Sequence, residues 1–313
     1  MPTPSIPLLV LGDFAWDMLI RTNTELLPGG DAFGEIMLAP GGSAANVAVW
    51  AARCGLETAF IGKIGRDRFG QLAVENLADE KVQAHFVYTD EHRTAAVAVW
   101  IDHRGKRSMV SGQGADFYLL PSELPVKKIK QAKHLHLTAW SFFTDPPRAA
   151  ARQAAKLAKE TGATISFDPG SFQVIQQIGA KNFLANVTDL NIDIFFPNLE
   201  EGQVLGSAME PEKIARQLAE VFPEAIIALK LDAQGAMILQ KGELTSIPPG
   251  TNNLIDATGA GDSFAGAFLA KYLRKADAIE AARFAVRVSA WVVNHIGARP
   301  WPDKQLRQVL SAS

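Results

Sequence analysis

Apolar and polar positions along this chain follow two rhythms. Short continuous apolar runs recur at Pro7–Gly12, Thr58–Ile61, Gln131–Thr138 (with HLHLT at its end), Thr164–Phe167, Ile192–Phe196 and Ile226–Leu231. Runs of that kind predict strands buried on both faces. Between them lie longer segments with helical spacing: Ser43–Cys54, Asp67–Glu80, Pro146–Thr161, Pro211–Val221, Gly261–Leu273 and Ala278–His295. Gly55 stops the first of these. Pro147 opens the Ala-rich helix, and Gly162 lies just past its end, where a C-cap glycine belongs. Strands separated by helices of about 10–15 residues predict crossover units and a mostly parallel sheet with both faces covered.

Two stretches break the rhythm. Phe14–Pro40 and Arg93–Ser111 look like hairpin material without a helix. Ala95–Ile101 reads as a strand, His103-Arg104-Gly105-Lys106 as a turn and Arg107–Val110 as the return strand. Together they predict one small extra sheet, a lid over a site at the strand carboxyl ends. The expected organisation is therefore an α/β core from 1–13, 41–92 and 112–313, with a β lid from 14–40 and 93–111.

Composition narrows the partners. The 313 residues carry a net charge of −2, so a polyanion such as nucleic acid is not the expected ligand. Any anion must be met locally, by backbone dipoles and a few side chains. No basic segment precedes the apolar run Leu8–Leu11, and no stretch approaches the ~18 apolar residues of a membrane span. The single cysteine, Cys54, cannot form an internal disulfide, which points to a reducing, cytoplasmic setting. His134 and His136 share a strand face but lack a third nearby ligand, so zinc is not expected.

The strongest chemical signal is Asp256-Ala257-Thr258-Gly259-Ala260-Gly261-Asp262. It joins a Gly-rich turn to an apolar helix, and the free N–H groups at a helix start favour an anion. A carboxylate there suits a general base, taking a proton while the amides hold developing negative charge. Asp262 as a plain helix cap fits the same residues. Neither a Walker A loop nor a dinucleotide fingerprint occurs.

This segment resembles the C-terminal signature of the ribokinase-like, or PfkB-type, carbohydrate kinases. Other segments match in order: Gly12-Asp13-x-x-x-Asp17, Gly41-Gly42-Ser43-Ala44-Ala45-Asn46, Ile61–Gly70 and Asn198-Leu199-Glu200-Glu201. The resemblance covers residues 12 to 298. It implies a ribokinase-like fold and an ATP- and Mg²⁺-dependent transfer to an alcohol. Gly259, Ala260 and Gly261 then form the anion hole, and Asp262 is the base. Asp13, Asp17, Gly41, Gly42 and Asn46 match the sugar-binding positions. Asn198 and Glu201 match the motif that supports Mg²⁺ through water, although an N-cap Asn with a first-turn Glu explains the same pair. Lys230, Gly235, Asn294, Gly297 and Ala298 match the nucleotide-binding region, with Lys230 as a strand-end surface cation the alternative. Asp256 and Thr258 match a K⁺ position found in some relatives. Relatives often form homodimers through the lid.

The chain departs from the pattern in two places. Where many sugar kinases of this family carry D-x-N-x-R, it has Asp168-Pro169-Gly170-Ser171-Phe172. Where they carry Gly-Ala-Asn, it has Gly114-Ala115-Asp116. Losing Arg and Asn weakens a phosphorylated acceptor. A small non-phosphorylated sugar or polyol fits better, with a nucleoside as the rival and a catalytically silent sensor as a different class. Phe14, Trp16 and Phe33 are placed either to stack on the acceptor or to pack the lid.

Overall fold

The computed structural model describes residues 5–101, 107–251 and 253–311. The turn expected at 103–106 lies outside the described residues. In chain order the strands are β1 (Leu8–Leu11), β2 (Ala15–Thr22), β3 (Gly34–Gly41), β4 (Thr58–Gly65), β5 (Gln83–Thr89), β6 (Ala95–Ile101), β7 (Arg107–Ser111), β8 (His134–Thr138), β9 (Thr164–Asp168), β10 (Ile194–Phe195), β11 (Ile226–Lys230), β12 (Ala236–Gln240) and β13 (Glu243–Ile247). The helices are α1 (Ser43–Arg53), α2 (Arg68–Asp79), α3 (Val126–Ile129), α4 (Pro147–Lys159), α5 (Phe172–Ile178), α6 (Ala180–Val187), α7 (Leu199–Gly206), α8 (Pro211–Val221), α9 (Ala260–Lys275), α10 (Ala278–Val292) and α11 (Lys304–Ser311).

A nine-stranded sheet forms the core, in the order β13-β12-β11-β10-β9-β8-β1-β4-β5. Strands β1, β4, β5 and β8 to β11 run parallel, and β12 and β13 close one edge antiparallel. The sequence reading missed that edge hairpin and β5. It also stopped β4 four residues early: the strand continues through Lys63, which is buried and whose ammonium bonds Tyr118 O (2.8 Å) and Glu123. The expected strand Ile192–Phe196 is shorter, pairing only at Ile194–Phe195.

Alternation along the central strands sorts side chains into two cores. Leu8 and Val10 pack with the apolar faces of α1, α9 and α10, including Trp50, Phe264 and Phe268. Leu9 and Leu11 face the alanines of α4 and the α8 side. Both sheet faces are therefore covered, which is why these strands read as unbroken apolar runs.

The chain leaves β1 first for β4 and later returns to β8 on the other side. The strand order thus reverses at β1, and in open α/β sheets a ligand crevice opens at such a point. The second sheet is built over that end, in the order β3-β2-β6-β7. Strand β2 follows β1 through Gly12–Phe14, and β3 runs into α1 through Gly42. Asp67 ties this sheet to the core. Its carboxylate caps α2 at Gly70 N (2.8 Å) and accepts from Thr94 N (2.8 Å), just before β6.

Helix α9 crosses α1 at close range. A Cβ on Gly266 would lie 2.6 Å from Val47 O and 2.8 Å from Trp50 Cβ. Gly266→Val should therefore overpack this crossing and lower stability by about 1–3 kcal/mol. Urea denaturation checks this, and an unchanged midpoint would contradict the described contact.

Candidate active site

Side chains gather at the carboxyl ends of the parallel strands. Asp13 follows β1, Thr138 ends β8, Asp168 ends β9, Asn198 follows β10 and Lys230 ends β11. Asp13 accepts from Ser43 N (2.7 Å) and Ala44 N (3.1 Å), the first amides of α1. Gly42 must turn at φ 87 for this, and a Cβ there would meet Phe14 Cα at 2.7 Å. Burial pushes Asp13 above its ordinary value, and the Ala44 and Ser43 amides pull it part of the way back. Gly41 closes β3 beside Asp17: a Cβ on it would lie 2.6 Å from Asp17 Cγ. The structure thus brings Asp13, Asp17, Gly41, Gly42 and Asn46 to one corner.

Asp262 reaches that corner from the first turn of α9. Its Oδ1 accepts from Ser43 Oγ and its Oδ2 from Asn46 Nδ2, each at 2.7 Å. The carboxylate therefore bonds α1 across the crevice, and α9 carries no side-chain cap bond at its N-terminus. This separates the two uses the sequence left open. Burial pushes the Asp262 carboxyl up to about 7, Asn46 and Ser43 pull it down, and the Asp168 and Asp13 charges raise it. Gly259 caps the helix at φ 74, where a Cβ would lie 2.6 Å from Ala298 Cα. Ala260 N–H reaches back to Ala257 O at 3.2 Å. A Cβ on Gly261 would stand 3.1 Å from Lys230 Nζ, so an ammonium flanks the helix start.

Lys230 is not a surface cation. It is buried and donates to Asp168 Oδ2 at 2.7 Å. Burial alone would pull its ammonium down, but Asp168, Glu201 and Asp262 hold it above the usual lysine value. Asn198 and Glu201 form a reciprocal capping box on α7: Glu201 N donates to Asn198 Oδ1 and Asn198 N to Glu201 Oε2, both at 2.8 Å. The N-cap alternative is thus realised in geometry. Glu201 is nevertheless unusual for a cap residue, being buried and pushed up to about 8 by that burial. Asp116, the departure from Gly-Ala-Asn, has one oxygen buried without a partner among the described residues. Burial and the nearby Asp13 charge push it up to about 8.

A cavity of about 440 Å³ adjoins the α9 N-terminus, lined by Asn198, Lys230, Gly235, Ala260 and Gly261 among others. Its mostly apolar wall is one face of α10 and its C-cap, Val286, Ser289, Ala290 and Val293, together with Leu254 and Phe264. The sequence reading missed that wall, although its i, i+3, i+4, i+7 spacing was a usable signal. Asn294, Gly297 and Ala298 do not line the cavity. They brace the loop beside it: Asn294 Oδ1 accepts from Asn253 N (2.6 Å), Gly297 N donates to Asp256 Oδ2 (2.9 Å), and Ala298 O accepts from Trp50 Nε1 (2.9 Å). Asp256 Oδ1 takes Thr258 N (2.9 Å) and Thr258 Oγ1 (2.6 Å). No group of three or more metal-ligating side chains occurs among the described residues.

The profile of the pfkB family carbohydrate kinases matches residues 8–304. The chain belongs to that family. It is a kinase, a phosphotransferase with an alcohol acceptor. It is 30% identical to a fructokinase of Escherichia coli over 264 residues, covering 83% of this chain and 82% of that protein. It is also 30% identical over 302 residues to an ATP-dependent ribose-1-phosphate kinase of Halopiger xanaduensis, covering 95% of each. The solved structure of a putative ribokinase II from E. coli in complex with ATP and Mg²⁺ superposes with a TM-score of 0.80 at 22% identity, covering 93% of this chain and 94% of that one.

Other side chains of this kinase fall outside the crevice chemistry. Phe14 and Trp16 are buried and pack edge-to-face at 5.6 Å, and Trp16 Nε1 donates to Phe69 O at 3.0 Å, so neither is offered for stacking. Phe33 is 91% exposed. His134 bonds Thr164 and Ser166 hydroxyls at 2.7 Å, and burial keeps it neutral, pushed down to about 3. Arg299 went unnoticed in the sequence. It is buried behind Asn46 and donates to its Oδ1 at 2.6 Å.

The raised acids give a pH prediction. The folded chain keeps the Asp262, Glu201 and Asp116 protons up to about 7, about 8 and about 8, whereas the unfolded chain releases them at ordinary carboxylate values. The folded state then binds more protons, and stability falls as pH rises. Buried neutral His134 and His136 work in the opposite sense, but only below the ordinary histidine value. Urea midpoints of the ligand-free kinase should therefore fall from pH ~6.5 to ~8.5, and Asp262→Asn should make the fall shallower. A rise over that range would contradict these assignments.

Proposed function

We propose that this kinase moves the γ-phosphoryl group of ATP to a hydroxyl of a small non-phosphorylated sugar or polyol. Asp262 is the general base. The amides of Gly259, Ala260 and Gly261, at the cap and first turn of α9, meet the charge on the transferring group. One observation carries this reading: a half-buried carboxylate at a helix N-terminus, held by Ser43 and Asn46 from the facing helix, with no cation bonded to it among the described residues. Its raised value, about 7, suits a group that takes a proton at neutral pH.

The nucleotide base fits the apolar face of α10, and its phosphates point toward Gly261 and Lys230. The donor set at Asn198 and Glu201 fits a hydrated Mg²⁺. Glu201 keeps one oxygen beyond its bond to Asn198, and a dication brought with the nucleotide offsets the cost of its burial. When bound, Mg²⁺ neutralises phosphate charge. A K⁺ ion would find its carboxylate at Asp256, beside Thr258 and the Gly297 turn.

The acceptor end favours a neutral sugar. Lys230 is neutralised by Asp168, and Arg299 is spent on neutral acceptors, so neither cation is left for a second phosphate. Asp13 and Asp17 supply acceptors for neighbouring hydroxyls. Segments 14–40 and 93–111 act as the lid. The exposed apolar side chains Ile36, Met37, Met109 and Val110 on that sheet support a homodimer formed through it.

Asp262→Asn should leave ATP affinity within about twofold and lower turnover by ~10²-fold or more, the scale of lost general-base help. Unchanged turnover would overturn the assignment. A turnover screen across free pentoses and hexoses, sugar phosphates and nucleosides, run in potassium and in choline buffer, tests the acceptor. Free sugars should win. Preference for a sugar phosphate or a nucleoside would contradict the acceptor class, and no turnover on any acceptor would favour a sensor.

A further inference from the structure

Among the described residues Arg299 makes three hydrogen bonds, all to neutral oxygens. Its Nε donates to Asn46 Oδ1 (2.6 Å), its Nη1 to Asn76 Oδ1 (2.8 Å) and its Nη2 to Gly41 O (2.8 Å). The side chain is buried, with its guanidinium carbon 5.5 Å from the centre of the Phe14 ring. Burying a guanidinium without a bonded carboxylate is costly. Packing alone would be served as well by an apolar side chain. The fork must therefore do something that apolar contact cannot.

The two ends of an Asn amide have nearly the same shape, and only their partners decide which way they face. Arg299 can only donate, so the end of Asn46 that meets it is the oxygen. The NH₂ end then faces Asp262 Oδ2, at 2.7 Å. In the reversed amide an oxygen would face the Asp262 carboxylate and repel it. We propose that Arg299 is a positioning residue that locks the Asn46 amide so that it donates to Asp262. The same fork holds the Gly41 carbonyl, and so fixes the strand end beside Asp17. The proposal rests on Asp262 as the base. Arg299 touches no reacting atom and acts through Asn46.

A double-mutant cycle with Arg299→Lys and Asn46→Ala tests it. Lysine keeps the charge but cannot span three acceptors. Arg299→Lys alone should lower kcat by ~10-fold, the effect of one lost charge-assisted hydrogen bond, with KM for ATP within about twofold. In the Asn46→Ala background the same change should cost less than about twofold, because the amide it orients is gone. A merely structural Arg299 would cost the same factor in both backgrounds, and that result overturns the proposal. So does an unchanged kcat in Arg299→Lys. Melting temperatures report whether each variant folds. If Arg299→Lys does not, Arg299→Gln run through the same cycle gives the same reading. The two ideas fail separately: unchanged turnover in Asp262→Asn removes the base, whereas equal costs in the cycle remove the Arg299–Asn46 link.

Discussion

Asp262 holds a half-buried carboxylate at the start of α9, stripped of much of its water. Burial makes its charge costly, and among the described residues only the Ser43 hydroxyl and the Asn46 amide bond it directly. Both donors sit on α1, so the group holds its geometry only while α1 and α9 stay in register. That requirement explains much of the surrounding sequence. At the α1–α9 crossing Gly266 lies against the α1 backbone at Val47 and Ala51 and against Trp50 Cβ, a close approach that a side chain would block. Trp50 fixes the crossing from the far side, by its bond to Ala298 O and its contact with Trp291. Gly259 tucks under Ala298, so the C-terminal loop and the helix start are braced by the same contacts.

The charges around the crevice are arranged in a second tier. Lys230 bonds Asp168, lies near Glu201 and flanks Gly261. One ammonium therefore serves several acids at once. Burial, and to a smaller degree the Asp168 charge, raises Glu201 and Asp262. A site short of positive charge when empty fits one that receives a cation together with a polyanion. The net charge of −2 hides this local imbalance, because it sums the whole surface.

The fold was largely legible because its strands are buried on both faces and its helices are punctuated. Pro147, Gly162 and the exact-length segment Pro211–Val221 fall where the rhythm placed them. The short edge elements were not legible. Strand β5 and the β12–β13 hairpin mix polar and apolar residues on partly exposed faces, which weakens their period. At the site, Asp262 and Gly259–Gly261 stood out because glycines and an acid open an apolar helix. Arg299 did not, because its partners Gly41, Asn46 and Asn76 lie more than two hundred residues away in sequence. Phe14 and Trp16 take the packing alternative, because residues at the start of the small sheet still face the core.

The central claim is that the Asp262 carboxylate takes the proton of the acceptor hydroxyl. The most direct measurement is a crystal structure of the kinase with a turned-over sugar and a non-hydrolysable ATP analogue. The account predicts the acceptor oxygen within ~2.6–3.2 Å of an Asp262 oxygen, with the γ-phosphate beyond it at the start of α9. A bound acceptor whose hydroxyl lies out of reach of Asp262, and nearer another base, would contradict it.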